Sequence, residues 1–148
     1  MNLTNILETT PLAYFLLDAS GVLYTDKGPI NDISSTVKTL QNKGHVYITT
    51  NNSSFSIPKI QKRLAEINII VQEKNIISSG LGLKDNKSCH DLIKNKTVYI
   101  FGNTSSFYYV TRTNFKSIVH HPDNAEVIVL TSSYKYKKHT YSNKNNKF

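Results

Sequence analysis

Short apolar runs alternate with helix-spaced apolar residues along this chain, and this alternation most restricts the fold. The runs are four to six residues long, a length typical of strands rather than helices. They are Leu12–Leu17, His45–Thr49, Val98–Phe101 and Val127–Leu130. The first run, LAYFLL, is nearly continuous, which predicts a strand buried on both faces of a sheet.

Between the strands, apolar residues recur at the spacing of one helix face. The first predicted helix has its apolar residues at Ile33, Val37 and Leu40. Gly44 follows that helix as a stop signal. Ser54 and Ser56 are candidate N-caps of a second helix, with Pro58 in its first turn. The apolar stripe of the second helix is Ile57, Ile60, Leu64 and Ile67. Glycines in the segment 78–93 predict a further helix that is broken at its start.

Strands alternating with helices predict an α/β fold, a Rossmann-like parallel sheet flanked by helices. We expect residues 1–133 to form this core and residues 134–148 to be a basic tail. In open parallel sheets, binding sites form at the carboxyl ends of the strands. The residues after Leu17, Thr49 and Phe101 are therefore the ones to inspect.

The first strand runs directly into Asp18, and Gly21 follows three residues later. This spacing indicates a tight turn at the edge of the sheet. A carboxylate at such a position can act as a nucleophile or as a metal ligand. A turn or helix-capping aspartate is the alternative that these residues leave open.

Hydroxyl and amide side chains fill the segment from Thr49 to Ser54, immediately before the second predicted helix. Backbone N–H groups and the helix dipole favour a phosphate at such a position, although an extended N-cap explains the same residues. Asp18 and this segment would together present an aspartate and a phosphate cradle to one crevice. That layout is typical of phosphoryl transfer through an aspartyl-phosphate.

The segments FLLDASGVLY at 15–24 and ITTNNSS at 48–54 resemble two motifs of the haloacid dehalogenase-like superfamily. The closer similarity is to its subclass IIA, which contains p-nitrophenyl phosphatases, phosphoglycolate phosphatases and nucleotide monophosphatases. These proteins carry D-x-D-G-V-L and then T-N-N-S. The matching residues here are Asp18, Gly21, Val22, Leu23, Thr50, Asn51, Asn52 and Ser53. ISSG at 77–80, YIFGN at 99–103 and the stretch 126–142, which is similar to the family's entry to a cap domain, extend the resemblance.

The resemblance implies a role for each site residue. Asp18 would be the nucleophile that attacks phosphorus, and Thr50 and Asn51 would hold phosphoryl oxygens. Backbone amides after Asp18, including that of Gly21, would steady the transferring group. The Asp18 carboxylate and the main-chain carbonyl of Ser20 would ligate Mg²⁺. The substrate would be a small phosphorylated metabolite.

Ser20 is a departure from the family pattern, because it stands where the family has its second aspartate. That aspartate acts as general acid and base, which is worth typically ~10²–10⁴-fold in rate. A serine hydroxyl cannot take this role near neutral pH. We therefore expect a phosphohydrolase with slow turnover, in which hydrolysis of an aspartyl-phosphate is especially impaired.

The extent of the resemblance is the second departure, since only the N-terminal part of the family is matched. These 148 residues hold no complete cap domain, and after Asp91 no acidic pair matches the family's late aspartate motif. We therefore expect an incomplete core that binds Mg²⁺ weakly. An open sheet edge in such a core predicts a homodimer. A non-catalytic, truncated remnant that binds phosphate or a partner chain is the alternative function.

The net charge of +8 belongs mostly to the tail, since residues 134–148 carry five lysines and no acid. A solvated terminus explains this charge, and we do not expect nucleic acid as a partner. The single cysteine, Cys89, predicts a reducing, cytoplasmic location, and we expect it to be a partly buried free thiol. No apolar stretch has the ~20 residues of a membrane span, and the N-terminus does not resemble a secretory signal.

Two other pairs of polar residues have simpler explanations than chemistry. Two adjacent histidines, His120 and His121, rarely share one metal ion, because neighbouring side chains on a strand point to opposite faces. We expect them in a loop. Asp26 and Asp32 flank a G-P-I turn, and we interpret them as turn and cap residues.

Overall fold

The computed structural model describes residues 13–102, 105 and 107–131. In these ranges the strands are β1 Ala13–Asp18, β2 Tyr24–Thr25, β3 Gly28–Pro29, β4 Gly44–Thr50, β5 Ile76–Ser78, β6 Thr97–Phe101, β7 Ser117–Ile118 and β8 Val127–Leu130. The α-helices are α1 Ile33–Lys43, α2 Ile57–Glu66, α3 Gly82–Asp85, α4 Lys87–Ile93 and α5 Phe107–Val110. The predicted tail, Leu12 of the first predicted strand, and Asn103 lie outside the described residues.

Parallel strands flanked by helices form the fold, as the sequence predicts. Strands β1, β4 and β5 form one parallel sheet in the order β1-β4-β5, and β6 forms a second with β7 and β8 in the order β7-β6-β8. Strands β2 and β3 form a short antiparallel hairpin. The sequence suggested one parallel sheet, whereas the parallel strands of the described residues fall into two sheets.

Helices α1 and α2 confirm the predicted helical segments. In α1, Val37 and Leu40 are buried. The helix ends at Lys43, and β4 begins at Gly44. Helix α2 has Ser56 at its N-cap in an extended conformation and Pro58 in its first turn. The α2 residues Ile57, Ile60 and Leu64 are buried. The apolar stripe of each helix therefore faces the core.

The core covers one face of the first sheet. This face contains Phe15, Leu17, Val46, Ile48 and Ile76, which pack with residues of α1 and α2. On the other face, Tyr14 is 63% exposed and Leu16 is 65% exposed. The prediction that the first strand is buried on both faces is therefore wrong, because α1 and α2 both pack on the face opposite to Tyr14 and Leu16.

The segment 78–93 contains short helices, as its glycines predict. After β5, a 3₁₀ turn at Ser79–Leu81 leads into α3 and then α4. The second sheet has its own small core, formed by Ile93, Val98, Ile100, Val110 and Val129. None of the helices in the described ranges combines the length and the apolar character that crossing a lipid bilayer requires.

Candidate active site

Asp18 ends β1 at the carboxyl edge of the first sheet. In the parallel register Asp18 lies beside Thr49 of β4, and the next amide, that of Ala19, donates to the Thr49 carbonyl at 2.9 Å. The Asp18 side chain is exposed, and its carboxylate makes no hydrogen bond within the described residues. It is therefore available to attack a substrate or to bind a cation.

A tight turn follows Asp18 and is fixed by its own backbone. The carbonyl of Ala19 accepts hydrogen bonds from the amides of Leu23 at 3.0 Å and Tyr24 at 3.2 Å. Ala19 and Leu23 are fully buried, so they anchor the turn in the core. Gly21 has φ of +85°, a conformation that glycine adopts without the steric cost of a side chain.

Backbone amides of this turn differ in their availability. The Gly21 amide donates to the Tyr24 carbonyl at 2.8 Å and is therefore engaged within the turn. The amides of Ser20 and Val22 have no acceptor among the described residues. The donors that could meet a phosphoryl oxygen here are therefore those of Ser20 and Val22. Sequence reasoning named Gly21, because a motif does not show which amides its turn uses.

The β4–α2 loop, residues 51–56, carries the second predicted set of site residues. Thr50, just before it, is 5% exposed, and its Oγ1 accepts a hydrogen bond from the Asn52 amide at 3.1 Å. The Asn52 side-chain oxygen accepts one from the Ser54 amide at 2.8 Å. These two local bonds shape the loop. The Asn51 side chain is exposed and has no hydrogen bond within the described residues.

Thr49 lies beside Asp18 in the sheet, and sequence reasoning did not name it as a candidate site residue. The register places Asp18 beside Thr49, while Thr50 lies beside Ser78 of β5. Because side chains alternate along a strand, Thr49 shares the face of Asp18 and Thr50 lies on the opposite face. The Thr49 hydroxyl is half-buried and donates to the Leu17 carbonyl at 3.4 Å. Only the strand register, which the motif does not contain, could identify it.

Three serine hydroxyl groups hold the β4–α2 loop in place, two from β5 and the turn after it and one from the loop itself. Ser79 Oγ donates to the Asn51 carbonyl at 2.9 Å, and Ser78 Oγ donates to the Asn52 carbonyl at 3.1 Å. Ser53 Oγ donates to the Thr131 carbonyl, just after β8, at 2.9 Å. The loop is thereby attached to both sheets through its own residues.

Positive charge lies beside both site loops. The Arg63 guanidinium of α2 lies 5.1 Å from the ring centroid of Tyr24 and 4.9 Å from that of Phe55. Lys59 Nζ lies 4.5 Å from the Phe55 centroid. Tyr24 closes the turn after Asp18, and Phe55 belongs to the β4–α2 loop. These cation–π contacts therefore hold two cations against residues of the two site loops.

Two oxygen ligands fit the predicted metal site. The Asp18 carboxylate and the Ser20 carbonyl accept no hydrogen bond from the described residues, so both oxygens are available. Mg²⁺ prefers oxygen ligands and usually keeps several waters, so this pair suits it in kind. The described residues contain no group of three or more His, Cys, Asp or Glu side chains that could hold a metal ion.

The remaining residues that the sequence analysis considered lie in a helix, beside a turn and at a helix cap. Cys89 is a half-buried free thiol, as predicted. His121 lies before a 3₁₀ turn, and its Nδ1 accepts a hydrogen bond from the Asp123 amide at 3.4 Å. Asp32 occupies the N-cap position of α1, without a side-chain capping bond.

Comparison with known proteins agrees with this architecture. Residues 15–116 match the family model described as haloacid dehalogenase-like hydrolase. This match spans more than half of the chain, so the chain belongs to the haloacid dehalogenase-like hydrolase family. No curated protein sequence matches it.

Solved structures of low sequence identity share the fold. A possible sugar phosphatase of this superfamily from Cytophaga hutchinsonii is 24% identical, with a TM-score of 0.69 over 88% of this chain and 48% of that one. A p-nitrophenyl phosphatase from Archaeoglobus fulgidus is 23% identical, with a TM-score of 0.64 over 85% of this chain and 46% of that one. Glycerol phosphate phosphatase from Mycobacterium tuberculosis, in complex with magnesium, is 17% identical, with a TM-score of 0.65 over 87% and 38%. The chain therefore spans less than half the length of these proteins.

Proposed function

We propose that this chain is a phosphohydrolase that cleaves phosphate monoesters through an aspartyl-phosphate on Asp18. The observation that carries the proposal is the exposed, unbonded Asp18 carboxylate at the carboxyl edge of the sheet. It stands next to the unengaged amides of Ser20 and Val22. The family match and the phosphatases that share the fold support the same chemistry.

In the first step, an Asp18 carboxylate oxygen attacks phosphorus, and the bond from phosphorus to the ester oxygen breaks. The leaving oxygen takes its proton from water, because the Ser20 hydroxyl is not an acid near neutral pH. The Ser20 and Val22 amides would stabilise negative charge on the phosphoryl oxygens. In the second step, water attacks phosphorus, and phosphate and the free carboxylate are released.

We propose slow turnover because Ser20 replaces the family's general acid–base. A positioned group of that kind contributes typically ~10²–10⁴-fold to the rate. The second step suffers most, since no carboxylate at position 20 removes the proton of the attacking water. Bound Mg²⁺ would neutralise charge on the phosphate, held by the Asp18 carboxylate and the Ser20 carbonyl, as inferred from the family and from a relative that contains magnesium. With only two protein oxygens as ligands, we expect this binding to be weak.

Two further features bear on the substrate and the location, namely the charge beside the site loops and the free cysteine. We infer that the substrate is a small phosphorylated metabolite, attracted by the cations Lys59 and Arg63. A single cysteine, Cys89, which is a free thiol, favours a reducing compartment such as the cytoplasm.

The test is hydrolysis of p-nitrophenyl phosphate by the purified chain, with Mg²⁺ and with a chelator. We expect slow, Mg²⁺-dependent release of p-nitrophenol that is lost in Asp18→Asn. Ser20→Asp should raise the steady-state rate, by up to the ~10²–10⁴-fold of a general acid–base. A burst of p-nitrophenol before the steady state would show that the second step limits the wild type.

Asp26→Asn is the matched control, because Asp26 is also exposed but lies in the β2–β3 hairpin. It should leave the rate unchanged. If folded wild-type and Ser20→Asp proteins both release no p-nitrophenol, the phosphohydrolase proposal is wrong. Phosphate binding without turnover would then identify the chain as a non-catalytic binding protein.

A further inference from the structure

Tyr109 on α5 is a buried side chain that sequence reasoning did not single out. It is 1% exposed, and its ring packs in the core of the first sheet although α5 follows the second sheet's β6. Its hydroxyl oxygen lies 2.6 Å from the Phe55 carbonyl oxygen and 2.9 Å from Ser78 Oγ, and its single proton can be donated to either acceptor. A buried hydroxyl with two partners fixes the groups around it.

Both partners of the Tyr109 hydroxyl lead to the β4–α2 loop. Phe55 belongs to the loop itself, near its end. Ser78 Oγ in turn donates to the Asn52 carbonyl at 3.1 Å, near the start of the loop. The phenol hydroxyl therefore contacts two points of the loop, Phe55 directly and Asn52 through Ser78, and its one proton is shared between these two routes.

The position of the Tyr109 ring is set by Gly80. A Cβ built on Gly80 would lie 2.7 Å from Cγ and Cδ2 of that ring, closer than real contacts allow. The ring can therefore approach the turn after β5 only because residue 80 has no side chain. Burial raises the pKa of the Tyr109 hydroxyl above its usual range, so the group keeps its proton and remains a donor near neutral pH.

We propose that Tyr109 is a positioning residue that sets the conformation of the β4–α2 loop, and through it the placement of the Asn51 side chain toward a bound phosphate. The phosphate half of this inference rests on the proposed function. The loop half does not, because it depends only on the hydrogen bonds from Tyr109 and Ser78.

Amide hydrogen exchange in the Tyr109→Phe variant tests the loop half. This substitution removes the hydroxyl and keeps the ring beside Gly80. We expect the loop amides of Asn52 and Ser54 to exchange about three- to tenfold faster relative to the Ile48 amide of β4, the range that loss of one hydrogen bond predicts. Taking the ratio to Ile48 removes any change in global stability.

Tyr108→Phe is the matched control, because the neighbouring hydroxyl makes no hydrogen bond within the described residues. It should leave the ratio unchanged. In a Ser78→Ala background, Tyr109→Phe should accelerate the Asn52 amide less than it does in the wild type, because the connection through Ser78 is already lost. Equal acceleration of loop and β4 amides, or no change in either, would overturn the proposal.

Binding of inorganic phosphate, measured by calorimetry, tests the other half. Tyr109→Phe should raise the dissociation constant about three- to tenfold, and Tyr108→Phe should not. A looser loop with unchanged phosphate affinity would overturn the role of Tyr109 at the site. If wild-type protein binds no phosphate, the proposed function fails, and the exchange ratio still decides whether Tyr109 positions the loop.

Discussion

Single residues decide the shape of the turn that follows Asp18. Gly21 permits φ of +85°, which allows its amide to reach the Tyr24 carbonyl and leaves the Ser20 and Val22 amides unengaged. Ser20 bears on the proposed chemistry instead, since it stands where the family has a carboxylate. Neighbouring residues of one turn therefore set its backbone conformation and, on the proposed function, its turnover.

Replacing Gly21 by alanine tests the conformational role of this residue. A Cβ would meet no neighbouring atom there, so the cost comes only from the positive φ. We expect Gly21→Ala to lower the free energy of unfolding by about 1–2 kcal/mol, measured by urea denaturation.

Gly82→Ala provides the comparison for Gly21. Gly82 has φ of −56° and ψ of −26°, and a Cβ there also meets nothing. Alanine should therefore stabilise the fold at this position, by roughly 0.4–1 kcal/mol. A loss of stability at Gly82 as large as that at Gly21 would show that the positive φ is not the cause.

Among the elements, β6 and β8 are joined by a carboxylate outside their ladder. Glu126, just before β8, accepts hydrogen bonds from the Thr97 amide at 2.9 Å and from Lys96 Nζ at 3.0 Å. The Thr97 hydroxyl also donates to it, at 3.1 Å. The Thr97 amide and then Lys96 lower the pKa of Glu126 from 4.5 to about 2. These hydrogen bonds therefore stabilise the carboxylate form of Glu126 in the folded state.

This shift predicts a pH dependence of stability. Because the folded-state pKa of Glu126 is lowered, its contribution is present above pH 4.5 and is lost as pH falls toward about 2. We expect the urea midpoints of wild type and Glu126→Gln to differ near neutral pH and to converge in that acidic range. The size of the difference will be modest, since Glu126 is exposed.

Glu66→Gln is the control for the pH series, because Glu66 is exposed and makes no hydrogen bond through its side chain within the described residues. Its midpoint should follow that of wild type at every pH. A Glu126→Gln difference that stays constant from neutral pH to pH 2 would contradict the assigned carboxylate interaction.

The whole molecule leaves apolar side chains exposed on its first sheet. Parallel sheets are usually covered on both faces, yet Tyr14, Leu16 and Ile77 are 63%, 65% and 45% exposed. The Tyr14 ring instead stacks on His45, with centroids 5.2 Å apart. In the described residues, β1 also pairs with β4 alone, so its second edge is open.

Association of two molecules through the open edge of β1 stays a prediction. We expect a homodimer, detected as a concentration-dependent mass by sedimentation or light scattering. Leu16→Lys should shift the protein toward monomer, because a lysine on an edge strand opposes its pairing with a second strand. Leu92→Lys is the control, since Leu92 is 68% exposed on α4. A monomer at all concentrations, or an equal effect of Leu92→Lys, would contradict this arrangement.

The sequence determined much of this protein through local patterns. Apolar periodicity predicted α1, α2, β4 and β8, because a repeat of two or 3.6 residues reflects which side chains face a core. The motifs around Asp18 and Thr50 predicted the family, and they place the candidate site at the carboxyl end of the sheet. The motifs also marked Ser20 as a departure, since residue identity needs no coordinates.

Tertiary structure alone decided which neighbours these residues meet. The register placed Thr49 beside Asp18, and the turn engaged the Gly21 amide. The short strand β5 and the contact of Tyr109 with Phe55 were also visible only in the tertiary structure. Each depends on residues far apart in the chain or on a backbone angle, and a local pattern contains neither. The packing of α1 and α2 on a single face likewise left Leu16 exposed, which an apolar run by itself does not reveal.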